Sequence, residues 1–260
     1  MSDFSVSDNA PLRDQADGLR RLFSGARTRL IAVAANPDVA FAGLALERLA
    51  SACASTLSEE GRKVLVVDAA RGEPHEMAAI DLSACIEPLG DNLSYLAAQG
   101  LPVRYVSTRG SCDAFLDAVT DAAPEAAVVI VHAEAHELGR LFARRALRPL
   151  LLAADHPVSV TSAYANMKLL AQRHGLMAFD LLLVAAANSP RTPRIAEQLA
   201  LTAERFSGAV LHDWAAIDPA AHGLSSEHVP RALLRLAQGL LAETPNPVAY
   251  LDRAVMQVAR

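Results

Sequence analysis

Eight residues, Asn36-Pro37-Asp38-Val39-Ala40-Phe41-Ala42-Gly43, separate two strongly apolar stretches. The first stretch, residues 30–35, reads as a buried strand. The second reads as a helix near 40–60 that runs into another buried strand at 63–69. A loop between a strand and the helix that follows is where an α/β nucleotide-binding protein cradles phosphate. The cradle needs glycines, so that backbone N–H groups can approach the phosphates, and a lysine to reach the β and γ oxygens. Gly43 is the one glycine of this loop, and the only lysines of the 260 residues, Lys63 and Lys168, fall elsewhere. Pro37 removes a backbone donor, and Asp38 places negative charge where a phosphate would sit. The order of elements is that of a phosphate-binding scaffold, while the side chains for the chemistry are missing.

Other chemistry-bearing residues are sparse. Asp68 ends the second strand, and His132, Glu134 and His136 leave a third at alternating positions. Alternating residues can share a side, but three ligands this close rarely close a metal site without a fourth. Cys53, Cys85 and Cys112 are far apart, odd in number and in no CxxC pair, the pattern of a reduced cytosolic protein without a zinc site. No serine or cysteine lies in a nucleophile-elbow sequence. Arg140, Arg144, Arg145 and Arg148 read as a solvated basic helix face. Near the start, Leu12, Ala16, Leu19 and Phe23 recur at i, i+4, i+7 and i+11, one face of a short helix. Pro11 suits its first turn and Gly25 its end.

The elements that must position these residues follow from the hydrophobic pattern. Hydrophobic residues make 52% of the chain and aromatics 5%, so Ala, Leu and Val fill a large core. Strands are expected near 30–35, 63–69, 93–97, 126–132, 149–154, 180–187 and 208–213. Helices are expected near 40–60, 111–122, 134–147, 159–174, 190–206 and 226–242. Residues 72–93 give no assignable pattern. The alternation predicts a doubly wound α/β fold, a mostly parallel sheet with helices on both faces. Ligands of such sheets bind at the carboxyl ends of the strands. Residues 1–26 are expected to form a polar leader plus the short helix, and 27–260 the main domain. The tail, 248–260, carries Leu251, Val255 and Val258 at helical spacing. It is poor in basic residues, so it is expected to dock on the core rather than on a membrane. A net charge of −5 argues against direct nucleic-acid binding, and no apolar run reaches membrane-spanning length.

Asp14-Gln15-Ala16-Asp17-Gly18-Leu19-Arg20-Arg21-Leu22 resembles the DQAxxLRxL motif that opens the FlhG/FleN proteins, MinD-like ATPases that control flagellar number and placement. The segment from His156 through Thr161-Ser162-Ala163-Tyr164-Ala165 to Leu170 is similar to that family's PTSxTDAYALIKLL-type stretch, and residues 201–206 are again similar. The resemblance runs from Asp14 to about Ala220 and implies a MinD/ParA-like P-loop fold. The departures fall on the family's chemistry. Its GKGGVGKT loop corresponds to Asn36 through Gly43, without either lysine. Its Asp-Ala-Asp becomes Asp68-Ala69-Ala70, its magnesium-holding Asp-Thr becomes His132-Ala133, and its adenine-contacting asparagine gives way to Ala185-Ala186-Ala187 before Asn188. Phosphoryl transfer depends on those parts, so a pseudo-ATPase with no cofactor is expected; the alternative is an ATP switch with magnesium.

The resemblance further implies a cytoplasmic regulator of flagellar assembly whose N-terminal helix docks on FlhF, a signal-recognition-type GTPase, and stimulates it. Leu12, Asp14, Gln15, Ala16, Leu19, Arg20 and Phe23 would form that contact, with Gln15 acting in trans on the GTPase. Further partners would be the flagellar switch complex or a flagellar transcription regulator. Recruitment to the pole or membrane would go through a partner, and no ATP-dependent dimer is expected. The competing readings are an active MinD-type switch and a pseudo-ATPase scaffold of another polar machine, such as cellulose secretion or pilus placement.

Overall fold

Apolar runs too continuous for a half-exposed strand become the middle of one sheet. The structure, a computed structural model, describes residues 28–57, 63–70, 81–143, 145, 147–186, 188–221 and 229–242. The expected helix at 12–23 and tail helix at 248–260 lie outside the described residues. In chain order the elements are β1 (Arg29–Ala34), α1 (Ala42–Thr56), β2 (Lys63–Asp68), β3 (Ile86–Pro88), β4 (Leu93–Ala97), α2 (Asp113–Ala122), β5 (Ala126–Ala133), α3 (Ala135–Leu141), β6 (Leu150–Ala154), α4 (Pro157–His174), β7 (Ala178–Val184), α5 (Arg191–Ser207), β8 (Val210–Ile217) and α6 (Arg231–Ala242). Short 3-10 turns lie at Ser83–Cys85 and Pro102–Tyr105.

The eight strands form one sheet in the order β3-β4-β2-β5-β1-β6-β7-β8. All pairs are parallel except β3 with β4. The expected doubly wound α/β architecture is therefore present. One face is covered by α1 and α6 through Ala45, Leu46, Leu49, Leu233 and Leu236. The other is covered by α2 to α5 through Phe115, Leu138, Met167, Leu170 and Leu199. Each fully buried Leu or Phe contributes about 1.5–3 kcal/mol. None of the described helices is long and apolar enough to cross a membrane.

Several boundaries differ from the sequence expectation. β3 and the turn before it fall in the stretch that gave no pattern, because a three-residue edge strand carries no readable period. β8 runs on to Ile217, since Ala215 and Ile217 are buried in the cluster under α1 and α6 and Ala216 in the cluster on the other face. The helix expected over 134–147 stops at Leu141. Phe142 is buried and the chain turns there, with the Arg145 N–H donating to the Phe142 carbonyl.

The basic helix face is consequently not present. Arg140 Nε donates to the Gly110 carbonyl at 2.9 Å, and Arg145 pairs with Asp117. Arg148 is nearly buried and donates through Nε to the fully buried Asp180 of β7 at 2.7 Å and through Nη2 to the Gly239 carbonyl of α6. Three arginines spaced for one helix face thus serve three different tertiary contacts; Arg144 lies outside the described residues.

Candidate functional site

β6 starts four residues further along the sheet than β1, pairing Leu150 with Val33 and Leu151 with Ala34. Its later residues therefore run past the end of β1 with carbonyls facing no strand, and buried carbonyls must find donors. Asn36 supplies one. Its Nδ2 donates to the Leu152 carbonyl at 2.8 Å and to the Ser159 carbonyl at 2.9 Å, with Ser159 Oγ at 3.1 Å. The same side chain accepts from the Asp38 N–H through Oδ1 at 3.1 Å. Asn36 is 3% exposed, so this network is interior.

The rest of the loop is held by α4. That helix begins where His156 caps it, Nδ1 accepting from the Ser159 N–H, with Pro157 at its first position. His156 Nε2 faces the Asp38 carbonyl at 2.9 Å, so the proton sits on Nε2 and Nδ1 is the acceptor. Ser162 Oγ donates to the Asp38 carboxylate at 2.6 Å, and Asn166 Nδ2 donates to the Ala35 carbonyl at 2.8 Å. Ser159 Oγ also accepts from the Ala154 N–H. The loop after β1 is thus closed against α4 by side chains from both sides.

α1 begins beyond this lock. Its first turn has no side-chain cap and no acidic residue, Phe41 before it is 54% exposed, and the space over Gly43 is open. Across the sheet, Asp68 and His132 stand opposite each other at the ends of β2 and β5. His132 Nδ1 lies 2.9 Å from Asp68 Oδ1. Tyr95 OH (3.2 Å), Gln99 Nε2 (3.4 Å) and the Ala70 N–H (3.2 Å) complete the carboxylate's partners. Burial alone would raise the Asp68 pKa; the hydrogen bond and charge of His132, with Ala70 and Tyr95, bring it below the ordinary carboxylate value. Tyr95 is raised, by burial and by that same charge. His132 Nε2 is buried and meets no hydrogen-bond partner among the described residues. His136 pairs instead with Glu134 at 3.1 Å, so His132, Glu134 and His136 do not converge.

Asn36, Pro37, Asp38, Gly43, Asp68 and His132 therefore gather at the carboxyl ends of the neighbouring strands β1, β2 and β5. Leu12, Asp14, Gln15, Ala16, Leu19, Arg20 and Phe23 lie outside the described residues. Missed by the sequence reading were Ser159, Ser162 and Asn166, which bind the loop. Their i, i+3, i+7 spacing puts three polar side chains on one face of α4, and that was the available signal. Burial pushes the Cys53 thiol up to about 12 and raises that of Cys112, which leaves both poor nucleophiles.

No protein-family model and no curated protein sequence matches the chain. Solved structures do. The MinC:MinD cell division protein complex of Aquifex aeolicus aligns with a TM-score of 0.54 at 11% identity, covering 84% of this chain and 97% of that one. The MinD cell division protein of Aquifex aeolicus aligns at 0.51 and 12% identity, covering 84% and 99%. At such identities the likeness speaks for architecture, and the chain has the fold of the MinD cell division protein.

Proposed function

We propose that this protein is a non-enzymatic, cytoplasmic regulator of flagellar number, placement and assembly, built on a MinD-like scaffold that does not use nucleotide. The observation that carries the first half is the closed loop after β1. The Asp38 carboxylate, bonded to Ser162 at 2.6 Å, puts an anion into the loop, which has no lysine of its own to offset it. A polyanion brought there meets a like charge and finds the loop's groups engaged by Asn36, His156 and Asn166. His132, which takes the place of the resembling family's magnesium-holding aspartate, is engaged with Asp68, and Ala70 takes the place of its water-positioning carboxylate.

The second half rests on the motif around Gln15. The helix at 12–23 docks on an FlhF-type GTPase with Leu12, Ala16, Leu19 and Phe23, Asp14 and Arg20 flank that contact, and Gln15 orients the attacking water. Switch-complex proteins or a flagellar transcription regulator are the further partners, and pole or membrane recruitment goes through them.

The test is GTP turnover by FlhF with the full-length protein, with the 9–24 peptide, and with Gln15→Ala and Leu19→Asp variants. The peptide should carry most of the stimulation. Gln15→Ala should lower turnover with affinity nearly intact, and Leu19→Asp should abolish binding. Full stimulation by a chain lacking residues 1–26 would sink the partner role.

One observation favours the second reading, an ATP switch. The first turn of α1 is uncapped and open over Gly43, and backbone N–H groups at a helix start attract anions. Calorimetry with ATP and magnesium decides between the readings. Micromolar binding that is lost on changing a residue of the 36–43 loop would establish the switch.

A further inference from the structure

The described residues begin at Thr28, whose Oγ1 donates to the Ala126 carbonyl at 3.1 Å. Ala126 opens β5, and a cavity of about 290 Å3 adjoins it. The cavity lies between the amino ends of β2, β4 and β5 and the last turn of α2, at the opposite sheet edge from the 36–43 loop. Leu65, Ile86, Ala122 and Ala123 supply much of its apolar wall. The Lys63–Glu125 ion pair, 2.7 Å between Nζ and Oε2, stands on its rim. At this size it suits a side chain or two rather than a cofactor.

The first 27 residues join the domain at this point. Phe23 precedes Thr28 by five positions, a stretch that reaches at most roughly 17 Å. Phe23 is therefore tethered within reach of the cavity. The 36–43 loop, roughly 26 Å along β1 from Thr28, is beyond it. A tether this short holds an effective concentration in the millimolar range, enough for a weak apolar contact to close. The occupant has the complementary chemistry: Leu12, Ala16, Leu19 and Phe23 are spaced for a single apolar face of a helix.

We propose that the chain's own N-terminal helix, residues 12–23, docks at this cavity with Phe23 as its anchor. The docking stands on the cavity and the tether. Its consequence, that a partner must displace the helix before using it, rests on the proposed partner role.

The experiment is hydrogen exchange followed by mass spectrometry on the full chain. Amides of residues 12–23 should exchange at least about tenfold more slowly than in the free 9–24 peptide. Phe23→Ser should bring them to the peptide's rate. Ala123→Arg should do the same from the cavity side. Peptide-like exchange in the unaltered chain overturns the proposal, as does slow exchange that survives both substitutions. Protection that grows with protein concentration also overturns it, by showing that a second copy is bound instead. If the partner role holds as well, Ala123→Arg raises FlhF stimulation above that of the unaltered protein. Slowed exchange relieved by both substitutions, with FlhF stimulation by Ala123→Arg no higher than that of the unaltered protein, upholds the docking and removes only the consequence.

Discussion

Asn36 does with one side chain what a longer β1 would do with its backbone. It gives a donor to the Leu152 carbonyl beyond the end of its own strand and ties the loop to Ser159. Asn36→Ala strips donors from two interior carbonyls, each costing about 1–3 kcal/mol when left unpaired. Urea unfolding should show a loss of about 2–4 kcal/mol, and Asn36→Asp, which has no donors, should be no milder. Asp68 allows a pH prediction. Its folded pKa lies below the ordinary value because the bonds from His132, Ala70 and Tyr95 outweigh burial. A depressed carboxylate contributes stability that is present above the unfolded pKa, about 3.9, and is lost as pH falls through the lower folded value. The stability gap between the protein and Asp68→Asn should therefore be full near neutral pH and close below about pH 4. A gap that stays constant down to pH 2 would contradict the assignment.

At the scale of elements, α4 both closes the loop at its first turns and sets its own end. Gly175, at φ 64, terminates it in the left-handed conformation that favours glycine, and Arg173 and His174 stand in its last turn. The His174 imidazole lies against Gly139 of α3, so closely that a β-carbon at 139 would overlap the ring. His174 is held below its usual pKa by burial and by Arg173, as befits a neutral packing ring. Gly139→Ala forces the ring out of that contact and should cost about 1–3 kcal/mol, the range for overpacking. His174→Ala in the same chain should recover most of the loss, and a double-mutant cycle by thermal unfolding measures it. Additive losses would show that the two helices do not meet through this contact.

On the scale of the whole molecule, the sheet presents two separate edges. The carboxyl edge carries the locked loop and the Asp68–His132 pair; the amino edge carries the cavity beside Thr28 and the Arg148–Asp180 pair that ties β7 to α6. A ligand shifts an assembly equilibrium only by its differential affinity for the two states. On the proposed reading, a closed loop without lysine gives ATP no such handle. Sedimentation velocity should give the same mass with and without ATP and magnesium. An ATP-dependent increase would refute the proposed loss of nucleotide use and favour the switch.

The alternation of strands and helices was legible in the sequence because it is local. Continuous apolar runs such as Val128 to Val131 mark strands covered on both faces, and the order of elements then limits the topology. The missing lysine and the Pro37-Asp38 pair were equally legible, being statements about residue type. Nothing local recorded which side chains close the loop. Asn36 meets Ser159 across 123 positions and Asp38 meets Ser162 across 124. Nor could spacing alone foresee that Arg140, Arg145 and Arg148 part company, since the helix carrying them stops when Phe142 is drawn into the core. Periodicity reports which face of an element is apolar. The partner of a polar side chain is set by strand register and helix packing, and here the offset of β6 against β1 brought Asn36 to a carbonyl that needed it.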